Sequence, residues 1–109
     1  MALADKMGLP KDMLHRILSN SFAQSRIYDR HYTQFVEVDN FQPGFALNLL
    51  HKDLVLVKKM ADGIGAALPI GAHVEQLIDL AKANGYGEKD MSGMYLYMNE
   101  INKQHQMTK

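Results

Sequence analysis

No cysteine occurs in the 109 residues. That removes disulfides, thiolate nucleophiles and thiolate metal sites, and it fits a reducing, cytoplasmic setting. An excess of one charge is also missing. Twelve Lys and Arg balance 12 Asp and Glu, and a cut after Leu54 leaves six of each sign in both halves. A protein that tracks nucleic-acid phosphates carries a basic surplus, so no nucleic-acid partner is expected. Long hydrophobic runs are absent too. The stretch Phe45 to Leu50 falls far short of the ~20 residues a membrane helix needs. The N-terminus lacks a basic flank followed by an apolar signal core, so no membrane partner is expected and the chain reads as unsecreted. Finally, there is no GxGxxG or GxxxxGKS phosphate loop and no GxSxG elbow. A dinucleotide cannot be bound here through a Rossmann unit of the chain's own, and no serine nucleophile is indicated.

What is present suits a folded core. Hydrophobic residues make up 47% of the chain and charged residues 22%, at a length that accommodates one domain. The few prolines and glycines fall mostly between periodic segments. Leu3, Ala4 and Met7 lie at helical spacing and stop at Gly8. Pro10 then opens a helix carrying Met13, Leu14, Ile17 and Leu18. From Gln24 to Val38 the pattern is poorer, and we read it as helix, although Val36-Glu37-Val38 alternates like a short strand. Pro43-Gly44 marks a turn. Between Phe45 and Ile64, the residues Leu47, Leu50, Leu54, Val57, Ala61 and Ile64 form an apolar stripe, widened by Ala46, Leu49, Leu56 and Met60. This helix is expected at the centre of the domain. Leu68-Pro69 opens another, with Val74, Leu77, Ile78 and Ala81 facing inward and Gly85-Tyr86-Gly87 ending it. Asp90 reads as the N-cap of a last helix through Ile101, and residues 103–109 as a frayed polar tail. The expected class is all-α, a compact single domain of five or six helices.

Chemistry-bearing patterns are sparse. The five histidines are 16, 20, 22 and 32 positions apart, so none forms an HxxxH pair and no metal site is expected. The eight methionines read as adaptable core filler. The polar insertion His51-Lys52-Asp53 interrupts the most apolar helix, and at least one of the three must turn to solvent or find a partner. Projected at 3.6 residues per turn, Phe45 and Asp53 share nearly one face, with Asn48 and Lys52 near it. An aromatic, an amide, a cation and a carboxylate on one face look like the wall of a site. A solvated helix flank has the same appearance.

The run Phe41-Gln42-Pro43-Gly44-Phe45-Ala46-Leu47-Asn48-Leu49-Leu50-His51-Lys52-Asp53-Leu54, followed by Ala61, Gly65 and Leu68-Pro69, resembles the C-terminal domain of the β-hydroxyacid dehydrogenase family. That family includes 3-hydroxyisobutyrate dehydrogenase and tartronate semialdehyde reductase. Gly85-Tyr86-Gly87-Glu88-Lys89-Asp90-Met91-Ser92 is similar to its G-x-G-x-x-D-x-S stretch, and Ala2 to Leu9 to the end of its interdomain helix.

The resemblance implies a helical C-terminal substrate and dimerisation domain over 1–109, of the kind found in 6-phosphogluconate dehydrogenase-like enzymes. The N-terminal Rossmann domain is not in this sequence. In full-length members that domain holds NAD or NADP, and the helical domain closes a cleft over it. Lys52 would then reach the cofactor, and Phe45 and Asp53 would line the substrate side. The family's catalytic-lysine motif, G-x-x-G-x-G-x-x-x-K-x-x-x-N, and its D-A-P-V-S-G-G motif are both absent. The chain is therefore expected to hold no catalytic residue, to bind no cofactor alone, and to work as one domain of an oxidoreductase. The expected partners are that Rossmann domain and a second copy, since a cleft-facing surface leaves apolar residues to cover. The alternative is a free-standing helical interaction module without chemistry.

Overall fold

The computed structural model describes the backbone of residues 1–107 and the side-chain surroundings of residues 1–104. Among them the chain is all-α, with six α-helices: α1 (Ala2–Met7), α2 (Lys11–Ser19), α3 (Arg26–His31), α4 (Leu47–Ile64), α5 (Pro69–Ala81) and α6 (Met94–Met107). The sole β-like pairing among them is an isolated bridge between Ala46 and Asp90. Contacts group the residues into two units, Met1–Phe41 with Tyr95–Lys109, and Gln42–Met94.

In the first unit, Gly8 ends α1 at φ 80, a left-handed conformation that glycine reaches cheaply. Pro10 precedes α2, and Ser25 caps α3 by accepting from the Tyr28 N–H at 2.9 Å. α3 then widens into a π-helical turn over Tyr32–Val36, where the Glu37 N–H reaches the Tyr32 carbonyl at 2.8 Å. This region is helical, and the strand-like alternation of Val36 to Val38 has no strand behind it. The wide turn buries Tyr32, Phe35 and Val36. The His15 ring of α2 stacks on Tyr32, with centroids 4.3 Å apart. Asp5 ties α1 to α6 by accepting from the Tyr95 hydroxyl and from Asn99 Nδ2 at 3.2 Å.

The second unit is built on α4 and α5. Gly65 closes α4 in the left-handed region, and Pro69 occupies the first turn of α5, where a missing N–H costs nothing. Gly85 is likewise left-handed at φ 95 where the chain leaves α5 through Lys82–Tyr86. Leu47, Ala61, Ile78 and Ala81 are buried. The long stripe of α4 is only partly covered, because Val57, Met60 and Ile64 are exposed, the last by 82%. The last helix also differs from expectation. A single 3-10 turn, Met91–Gly93, precedes α6, which continues past Asn102 to Met107. The rest of the expected frayed tail lies outside the described residues.

A candidate cofactor and substrate face on helix α4

α4 begins at Leu47, and Ala46 before it is extended, with φ −64 and ψ 144. Phe45 therefore precedes the helix, and helical periodicity does not set its direction. The expected alignment of Phe45 with Asp53 on one face rested on a helix that starts two residues too early. What fixes Phe45 is its backbone. Its N–H donates to Asp90 Oδ1 at 3.0 Å, and its carbonyl accepts from the Met91 N–H at 2.8 Å. Asp90 is fully buried and also accepts from the Gly44 N–H at 3.1 Å, the Ser92 N–H at 2.9 Å and Ser92 Oγ at 2.5 Å. Asp90 is thus the expected N-cap and, in addition, the anchor of a loop 45 residues away. Sequence reading found only the first role.

The neighbouring join is equally close. The Leu47 N–H donates to the Lys89 carbonyl and the Asn48 N–H to the Gly87 carbonyl, both at 2.9 Å. A Cβ at position 87 would collide with the Asn48 amide, so what favours glycine at 87 is close approach rather than its dihedrals, and a larger residue there would make the Asn48 side chain shift. Asn48 Oδ1 is buried with no hydrogen-bond partner.

Within His51-Lys52-Asp53, the three side chains separate. His51 Nε2 lies 2.9 Å from Glu75 Oε1 and 3.4 Å from Asp79 Oδ1, which fastens α4 to α5. Lys52 and Asp53 are exposed. Phe45 is half-buried. Lys52 follows Asn48 by one helical turn on the same face, whereas Asp53 is rotated by about 100° from Lys52.

The fit of this face to a dinucleotide rests on Lys52. Its ammonium is exposed and forms no ion pair among the described residues, so its charge is available to phosphate oxygens. No three His, Asp or Glu side chains among the described residues are placed to hold a metal ion. No helix among the described residues is long and apolar enough to cross a membrane.

Comparison with known proteins extends these observations. 2-(Hydroxymethyl)glutarate dehydrogenase of Eubacterium barkeri is 30% identical over 94 residues, covering 86% of this chain and 31% of that protein. The cytokine-like nuclear factor N-PAC of Aedes aegypti is 32% identical over 96 residues, covering 88% of this chain and 17% of that protein. The crystal structure of 3-hydroxyisobutyrate dehydrogenase from Salmonella typhimurium superposes with a TM-score of 0.82 at 26% identity, covering 88% of this chain and 33% of that one. The chain spans a third or less of the length of these proteins. A family model described as the NAD-binding part of NADP-dependent 3-hydroxyisobutyrate dehydrogenase matches residues 1–98. The chain belongs to this 3-hydroxyisobutyrate dehydrogenase-like family of NAD(P)-dependent oxidoreductases.

Proposed function

We propose that the chain acts as the C-terminal helical domain of an NAD(P)-dependent 3-hydroxyisobutyrate dehydrogenase-like enzyme, and that it completes an active site whose other wall is a Rossmann domain. The observation that carries this reading is Lys52, exposed and without an ion pair among the described residues, on the helix that follows the Phe45 loop tied by Asp90. Lys52 neutralises the phosphate and ribose side of NAD or NADP as a mobile point charge. Phe45 keeps water from the reacting carbon, and Asp53 orients a substrate hydroxyl. When bound, the nicotinamide supplies the hydride acceptor or donor. The family's catalytic-lysine motif does not occur in this sequence, so in this reading turnover requires the complementary domain. A second copy covers the apolar residues left exposed on α4 and α5.

The test supplies the dinucleotide-binding domain of a 3-hydroxyisobutyrate dehydrogenase in trans. Oxidation of 3-hydroxyisobutyrate, dependent on this chain and on NAD or NADP, is the expected result. Lack of association with such a domain favours the second reading, a helical interaction module. That reading draws on the N-PAC relative, whose name is that of a nuclear factor rather than a dehydrogenase.

A further inference from the structure

We propose that Asp90 is a positioning residue for Phe45, which it holds in the orientation that faces substrate; the functional part of this inference rests on the reading of Phe45 given above. The capping role alone does not account for Asp90. A cap on the Met91–Gly93 turn needs one acceptor for the Ser92 N–H, and Asp90 Oδ2 fills that role at 2.9 Å. Serine or asparagine caps as well as aspartate. The other oxygen is unused by the turn and accepts instead from Gly44 and Phe45, at 3.1 and 3.0 Å. Four donors converge on two oxygens in a residue with 0% exposure. Only a carboxylate, which accepts through both oxygens, satisfies such a set. Burying it is tolerable because the Gly44, Phe45 and Ser92 N–H groups and the Ser92 hydroxyl all donate to it.

The loop needs this support. Pro43 and Gly44 lie outside any helix, and Ala46 is extended. With the Met91 N–H on the Phe45 carbonyl at 2.8 Å, both polar groups of the Phe45 backbone are held by residues 90 and 91. Replacing Asp90 by asparagine leaves one acceptor for two pairs of donors. The turn and the loop then compete for it, and Phe45 is released whenever the turn wins.

The experiment compares Asp90→Asn, Asp90→Ser and Ser92→Ala with the unaltered chain, by NMR of the isotopically labelled chain and by kinetics of the complex assembled in trans. Asp90→Ser retains a cap and cannot span to Gly44, which serves if Asp90→Asn does not fold. In folded Asp90 variants, the Gly44 and Phe45 amide and Phe45 ring resonances are expected to shift, whereas Ser92→Ala moves only signals around residues 90–93. KM for the hydroxyacid rises about fivefold or more, as expected for one lost anchoring interaction, while KM for the cofactor stays within about twofold. Phe45 signals that are unchanged in both folded Asp90 variants overturn the proposal. Shifted Phe45 signals with an unchanged hydroxyacid KM support Asp90 as the holder of Phe45 and overturn instead the assignment of Phe45 to substrate.

Discussion

His51 Nε2 on α4 lies 2.9 Å from the Glu75 carboxylate on α5, and both side chains are mostly shielded from solvent, at 14% and 13% exposure. Removing His51 takes the Glu75 carboxylate's partner away, at a cost of about 1–3 kcal/mol, whereas removing Glu75 leaves His51 the more exposed Asp79 carboxylate at 3.4 Å and costs less. His51→Ala and Glu75→Ala are each expected to lower the urea midpoint. The double variant should lose less than the sum, with a coupling of about 1 kcal/mol. Strict additivity would show that the contact does not fasten the two helices.

The Asn48–Gly87 approach predicts a compensating pair. Gly87→Ala places a methyl group against the Asn48 amide and is expected to destabilise by about 1–3 kcal/mol. Asn48→Ala removes a buried oxygen without a partner, so it is expected to be nearly neutral alone and to relieve most of the Gly87→Ala cost. Thermal melts of the three variants check this.

Alkali is expected to unfold the first unit. Burial pushes the Tyr28 and Tyr32 phenols above their ordinary value, helped by Asp29 and by Glu37 and Asp12 respectively. A hydrogen bond with Tyr95 raises the Lys11 ammonium in spite of its partial burial. All three groups hold their protons more tightly when folded. Their contribution is therefore fully present below the unfolded values, near pH 10, and is lost as pH rises through the folded ones. Circular dichroism and tyrosinate absorbance followed together above about pH 10 should show helicity falling as the last phenols ionise. Tyr28→Phe, which also removes a buried hydroxyl without a partner, should delay that loss. Helicity independent of pH while all tyrosines ionise would contradict it.

The exposed apolar residues of α4 and α5 predict self-association. Met60, Ile64 and Ile70 are 71%, 82% and 77% exposed. Light scattering is expected to give a dimer at high micromolar concentration, and Ile64→Glu a monomer with unchanged helicity. A clean monomer of the unaltered chain would count against a second copy as the cover.

Most helices were legible because their punctuation is local. Gly8, Gly65, Gly85 and Pro69 announce the ends of α1, α4 and α5 and the start of α5 through dihedrals and missing donors that depend on no distant contact. The π-helical turn at Tyr32–Val36 has no such local signal. The double duty of Asp90 is hidden in the sequence because its bonds to Gly44 and Phe45 reach residues 45 or more positions away. The shared face expected for Phe45 and Asp53 loses its helical basis for the same reason, since bonds from Lys89, Asp90 and Met91 hold the residues before a helix that starts at Leu47. The apolar stripe of α4 overstated its burial because periodicity marks a face without saying whether this chain covers it.

Lys52 carries the central claim, and its exposure lets it be changed without disturbing the fold. The most direct measurement is the cofactor affinity of the complex assembled in trans, for the unaltered chain and for Lys52→Met. Loss of one charge-assisted phosphate contact should weaken NADPH or NADH binding about tenfold or more, with the melting temperature of the chain unchanged. Equal affinity of the two complexes would contradict the account.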